Sequence, residues 1–295
     1  MTVGIGALSE HGDMVIMGTD MRATFPRLAT AHDECAKAFL MNRPTLFGVA
    51  VAGTLRVAHP FVDFLSFYLE RLAKESKEDG KQITRQEVES VIDLSRFRIF
   101  RRLVDWELKM SYGMSLDEWK SGKVPGTGKM NRLVLEAGKT LMKATDLPME
   151  ALIAGFIDGG DLVCYKASRK RHLEVVTAPG FQVIGTGGEL AMNHLNRCEQ
   201  TPEHSFARTL LHVAEALEEA RKEPHGTVGK PAWIFAISKS GEAAYIKPDH
   251  PALREWRRVY KNRNSTTSLQ NCKLSDILAK GMSKPLIVQT SKTAQ

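Results

Sequence analysis

Cysteine is scarce in this sequence, and aromatic residues are few: four of 295 residues are Cys and 7% are Phe, Trp or Tyr. Cys35, Cys164, Cys198 and Cys272 lie far apart, without a CxxC pair or a nearby Cys/His spacing. That pattern argues against a zinc site or a disulfide framework and predicts reduced thiols in a cytoplasmic protein. No run of eighteen apolar residues occurs, so no membrane span or membrane partner is expected. The opening MTVGIGALSEHGD has no basic segment and reaches Glu10 and Asp13 early, unlike a signal peptide. Acidic residues fall short of basic ones by seven, but the deficit is local. From Pro251 onward nine Lys/Arg face only Glu255 and Asp276, which leaves residues 1–250 balanced. A neutral body with a basic tail gives no reason to expect a nucleic-acid partner.

What is present reads as strands, helices, strands, helices, strands. Short β-like runs open the chain at 2–8, 14–20, 38–41 and 45–53, divided by turn residues. A helix begins near Arg56, with His59-Pro60 as a helix start, and a polar break falls at 77–81. A second helix spans 84–112, opened by a Thr84/Glu87 capping box. Residues 113–130 read as a loop and 131–145 as a helix. Strands return at 151–158, 162–168, 173–177 and 181–187, followed by helices at 189–197 and 205–223. A hairpin at 232–247 turns at Ser240-Gly241. This order predicts an α+β fold rather than alternating βαβ units. RFRIFRR (96–102) reads as an amphipathic helix whose arginines are solvated or paired with acids. GTGKM (126–130) lacks the offset and hydroxyl of a phosphate-binding loop, and no histidine pair has metal-ligand spacing. No cofactor and no metal are therefore expected.

The chemistry concentrates at the start. Removal of Met1 would leave Thr2 with a hydroxyl and an α-amine on one residue, so that the amine can take the Oγ proton during attack on a carbonyl. The amine is suited to this by a reference pKa of about 7.7–8. A lysine ammonium nearby would lower the pKa of the pair by like-charge repulsion, and an aspartate would hold that lysine. Asp20 ends the second strand and Lys37 opens the third, so adjacent strands can bring both beside Thr2. By itself, such a pair at strand ends is more often a surface ion pair.

The segment TVGIGALSEHGDMVIMGTDMRAT (2–24) resembles the opening of proteasome β-subunits: a threonine, a hairpin, then Asp-x-Arg-Ala-Thr, here Asp20 to Thr24. The family's catalytic lysine follows about thirteen residues later, matching Lys37, and a strand ending in Ala-Gly matches Ala52-Gly53. The resemblance implies a four-layer αββα sandwich of two antiparallel sheets flanked by helices, the Ntn-hydrolase fold. It makes Thr2 the nucleophile, Asp20 and Lys37 its charge neighbours, and Gly53 the oxyanion donor. Gly185-Thr186-Gly187 looks like the family's Gly-Ser/Thr-Gly turn, making Thr186 the counterpart of the serine near the amine. A third family element, Arg-Asp-x-x-Ser-Gly, reads Arg221-Lys222-Glu223-Pro224-His225-Gly226, with lysine for aspartate and histidine for serine. By the same alignment, Ala23, Cys35, Phe39, Val51 and Leu55 would line an apolar substrate pocket.

The resemblance is to one of the smaller bacterial proteasome-homologue groups. It implies a threonine peptidase acting on peptides or unfolded proteins inside a homo-oligomeric ring, with an ATPase unfoldase as a candidate partner. Residues 1–250 would form the domain, with an extended helical middle at 77–150, and 251–295 a basic extension. Two alternatives stay open: a catalytically inactive scaffold or regulatory subunit of the same fold, and an N-terminal-nucleophile amidase acting on a small molecule.

Overall fold

The computed structural model describes residues 2–20, 22–25, 30–32, 37–42, 46–122, 132–143, 146–157, 160–168, 173–176, 179–222, 224, 228–229 and 231–246. The extension at 251–295 lies outside them. Strands β1 (Gly4–Ser9) and β2 (Met14–Asp20) form a hairpin around a single 3-10 turn, Glu10–Gly12. A small ribbon, β3 (Ala23–Phe25) and β4 (Thr30–His32), precedes β5 (Ala38–Asn42) and β6 (Leu46–Gly53). Helices α1 (Leu55–Asp79), α2 (Arg85–Tyr112), α3 (Leu116–Ser121) and α4 (Arg132–Lys143) follow. The chain continues through β7 (Met149–Phe156), β8 (Leu162–Ala167), β9 (Leu173–Val175) and β10 (Phe181–Ile184). It closes with α5 (Gly188–Arg197), α6 (Phe206–Ala220), β11 (Pro231–Ser238) and β12 (Ala243–Ile246).

Two antiparallel five-stranded sheets result, ordered β10-β1-β2-β11-β12 and β5-β6-β7-β8-β9. Strand alternation sorts their side chains into three apolar layers. Ile5, Ala7 and Ile16 pack beneath Leu210, Val213 and Leu217 of α6. Val15, Met17, Ala50, Ala52 and Leu152 meet between the sheets. Val49, Val51 and Ile153 turn outward under Phe61 and Leu65 of α1 and Ile92 of α2. Helix, sheet, sheet, helix is the predicted αββα sandwich, and it explains why β1 and β2 are buried along their whole length.

Several boundaries differ from the sequence reading. Helix α1 begins at Leu55, so His59 and Pro60 lie inside it, with the His59 ring edge-on to Phe39 at 5.6 Å. The 113–130 stretch contains α3, which opens on a second capping box, Ser115 with Glu118, and buries Leu116. The Thr84–Glu87 box forms as expected. Within 96–102, Arg96 bonds the Ser168 carbonyl, Arg98 the Tyr68 hydroxyl and Arg101 the Asp117 carboxylate, while Arg102 is exposed. Cys164 and Cys198 are free thiols, and burial pushes Cys164 up to about 12. Among the described residues no helix is long and apolar enough to cross a membrane.

A buried polar knot joins α6 to the end of β1. Gln200 donates to the Leu8 carbonyl and the Thr209 hydroxyl, and its Oε1 meets His212 Nδ1 at 2.8 Å. Burial, then the positive charge of Arg208, pushes His212 down to about 3 from 6.5. Because the folded value lies below the unfolded one, protons favour the unfolded chain. The stability due to neutral His212 is complete above pH 6.5 and is lost as pH falls toward 3, about 2 kcal/mol of it by pH 5. His194 runs the opposite way, raised to about 9 by its bonds to Cys198 and Glu215. Its contribution is therefore intact in acid. Thermal melts from pH 7 to 5 should fall more steeply for the native chain than for His212→Gln, and parallel slopes would remove the histidine from the explanation.

Candidate active site

The site is built where the β1–β2 hairpin ends. Gly4 pairs with Thr19, which sets Val3 against Asp20. The two exchange bonds: Val3 N–H donates to Asp20 Oδ1 at 2.9 Å, and Asp20 N–H to the Val3 carbonyl at 3.3 Å. Asp20 Oδ2 accepts from Arg22 N–H and Gly229 N–H, each at 3.0 Å. Lys37 Nζ completes the set, 3.2 and 3.1 Å from the two oxygens, and also donates to the Arg22 carbonyl. Asp20 is 0% and Lys37 1% exposed, so this is a buried ion pair and not the surface pair its strand-end position first suggests. One carboxylate thus fixes an ammonium and the backbone beside Thr2, which is itself 2% exposed.

Lys37 stands just ahead of β5, and its carbonyl accepts from Val51 N–H at 2.9 Å, tying it to β6. That strand ends at Gly53, exposed and with φ +111°. A Cβ there would overlap the Pro148 carbonyl oxygen, so the positive φ and the close strand both demand glycine. The Gly185-Thr186-Gly187 turn leaves β10 and lies against the same place. Gly187 N–H reaches the Thr2 carbonyl at 3.4 Å, and Gly185 packs against both that carbonyl and Ala52. The structure therefore brings Thr2, Asp20, Lys37 and the 185–187 turn together at the end of the sandwich where Gly53 closes β6. Thr186 itself is exposed at the apex of the turn.

The proposed pocket fares differently. Val51 is 0% exposed and packs under α1, so it belongs to the core and offers no surface to a ligand. Phe39 and Leu55 are half-buried, Phe39 against the same cluster. Cys35 lies outside the described residues, as do Glu223, His225 and Gly226, and of Ala23 only the backbone is described. Lys222, just past the end of α6, is exposed and bonds Glu219 of that helix at 2.6 Å, while Arg221 bonds Glu218. Neither side chain turns toward Thr2. Among the described residues after Lys222, Val228, packed beside Gly187, and the N–H of Gly229 reach the site. The sequence reading also missed Glu150, whose Oε2 accepts from Gly185 N–H at 2.8 Å.

A four-layer αββα sandwich whose first strand starts inside a buried Asp–Lys site has the fold of the proteasome-type Ntn-hydrolases. Two solved structures carry the likeness. One is an Anbu (Gly-1) mutant from Hyphomicrobium sp. strain MC1, with a TM-score of 0.57 and 12% identity, covering 97% of this chain and 100% of that one. The other is Anbu, described as an ancestral beta-subunit, from Yersinia bercovieri, with a TM-score of 0.56 and 15% identity over the same shares. At such identities the likeness establishes the fold alone. No protein-family model and no curated protein matches the chain.

Proposed function

We propose that this chain is an N-terminal threonine hydrolase that cleaves peptide bonds, with Thr2 as nucleophile after removal of Met1. The observation that carries this reading is the Asp20 carboxylate, which holds Val3 N–H and Lys37 Nζ on the same oxygen. An ammonium fixed one residue from a terminal threonine favours the amine as a proton acceptor and stabilises alkoxide character at Oγ. The Gly53 N–H is the proposed oxyanion donor, worth roughly 3–4 kcal/mol in such sites. Thr186 is proposed beside the amine. The apolar character of Phe39 and Leu55 favours hydrophobic residues before the cleaved bond. Residues 1–250 are proposed as the hydrolase domain and 251–295 as its extension. Phe67 and Phe97, about half exposed on α1 and α2, support assembly through these helices into a homo-oligomer, within a small bacterial proteasome-homologue group.

A second reading is favoured by Lys222. Where the family places an aspartate near the amine, this chain has a solvent-facing lysine held by Glu219. That is the pattern of a catalytically silent subunit with the same fold. Intact mass and turnover of an apolar fluorogenic peptide separate the two. The hydrolase should lack Met1 and turn the peptide over, with Thr2→Ala at background and Thr2→Ser active. Retained Met1 with equal turnover by native chain and Thr2→Ala would end the first reading.

A further inference from the structure

We infer that Glu150 is a positioning residue that sets the distance between the Thr2 and Gly53 halves of the site; this rests on the hydrolase reading above. Thr2 belongs to the sheet of β1 and Gly53 to the sheet of β6, so the two groups that would act on one carbonyl stand on different layers. Their spacing depends on what joins the sheets at this end. Glu150 sits on β7 with its Cα opposite Ala52, one residue before Gly53. Its side chain crosses to the other sheet and accepts from Gly185 N–H at 2.8 Å. Gly185 in turn packs on the Thr2 carbonyl, leaving no room for a Cβ between that carbonyl and Ala52, and Gly187 N–H bonds the same carbonyl. A single carboxylate on β7, the strand paired with the end of β6 that bears Gly53, therefore ties that edge of the site to the turn that fixes the threonine.

The geometry gives Gly185 N–H no strand partner, because β10 ends at Ile184 and the turn has positive φ at 185. The carboxylate is thus the acceptor that holds the turn in place. It reaches the turn from the wall of a cavity of about 280 Å3, lined also by Lys166, Glu189 and Asn193. Loss of the carboxylate lets water enter from that cavity to meet the N–H, which keeps the chain folded but frees the turn. The expected defect is one of geometry in the transition state and not of substrate affinity.

The test compares Glu150→Ala and Glu150→Gln, since the glutamine carbonyl can still accept from Gly185 N–H. With an apolar fluorogenic peptide, Glu150→Ala should lower kcat about tenfold with KM within twofold, and Glu150→Gln should retain at least half of native kcat. Hydrogen exchange of the 181–187 segment, which needs no activity, should quicken in Glu150→Ala and stay native in Glu150→Gln. Native exchange at 181–187 in Glu150→Ala would overturn the strut, as would a defect confined to KM. A native chain without turnover but with the exchange difference would overturn the hydrolase reading and leave the strut standing.

Discussion

Asp20→Asn is expected to unfold the protein about 3–5 kcal/mol more easily than the native chain, the range for breaking a buried pair by removing one partner. The cause lies in the count of donors. The Asp20 carboxylate accepts from Val3 N–H on one oxygen, from Arg22 and Gly229 N–H on the other, and from Lys37 Nζ on both. An asparagine has one acceptor oxygen. Placed toward Arg22 and Gly229, it points its amide hydrogens at Val3 N–H; placed toward Val3, it abandons the other two. Either way a donor faces a donor in a buried site, and the Lys37 ammonium loses its counter-charge.

Lys37→Met removes the charge from the other side and should cost less, because three backbone N–H groups still solvate the carboxylate. The double variant should recover part of the Asp20→Asn loss, since no ammonium is then left buried. In a chain of this size a loss of 3–5 kcal/mol corresponds to a fall in Tm on the order of 10 °C. Peptide turnover should be at background in all three. Denaturant unfolding followed by a turnover assay checks both effects. A loss below 1 kcal/mol for Asp20→Asn would mean that the carboxylate is not the hub of the site.

The ease of reading this site from the sequence varies residue by residue. Asp20 and Lys37 were legible because a charged residue at the end of an apolar strand is conspicuous, and β2 ends at Asp20 as expected. Their burial was not legible, since nothing in the local pattern separates a buried strand end from an exposed one. Val51 was misassigned for a related reason. In a four-layer sandwich both faces of β6 are apolar, so alternation shows that Val49 and Val51 share a face but not which layer it meets. Glu150 stands one residue ahead of the strand read at 151–158, and its role depends on a turn 35 residues away. Gly229 contributes only a backbone N–H, which leaves no trace in side-chain chemistry. Helix α3 did carry a signal, the Ser115-x-x-Glu118 box, which the Gly-rich stretch after it obscured.

Gly185→Ala should be the most damaging glycine substitution at the site, and Gly241→Ala measures how much of the damage is backbone strain. Both glycines have nearly the same φ, +84° and +85°, where an L-residue costs roughly 1–2 kcal/mol. Gly241 sits at the β11–β12 turn with nothing within 4 Å of an added Cβ. At Gly185 the added carbon would overlap the Thr2 carbonyl oxygen and press on Ala52. Neither neighbour can give way alone. The Thr2 carbonyl is bonded by Gly187 N–H, and Ala52 is locked in the β6–β7 ladder opposite Glu150. The turn must therefore move outward, breaking the Glu150 bond to Gly185 N–H and releasing the start of β1. Gly241→Ala is expected to lower Tm by a few degrees and to keep native turnover. Gly185→Ala is expected to lower Tm further and to reduce turnover to background, because Thr2 loses the contact that fixes it. Equal melting shifts with full turnover in both variants would show that the 185–187 turn does not hold Thr2.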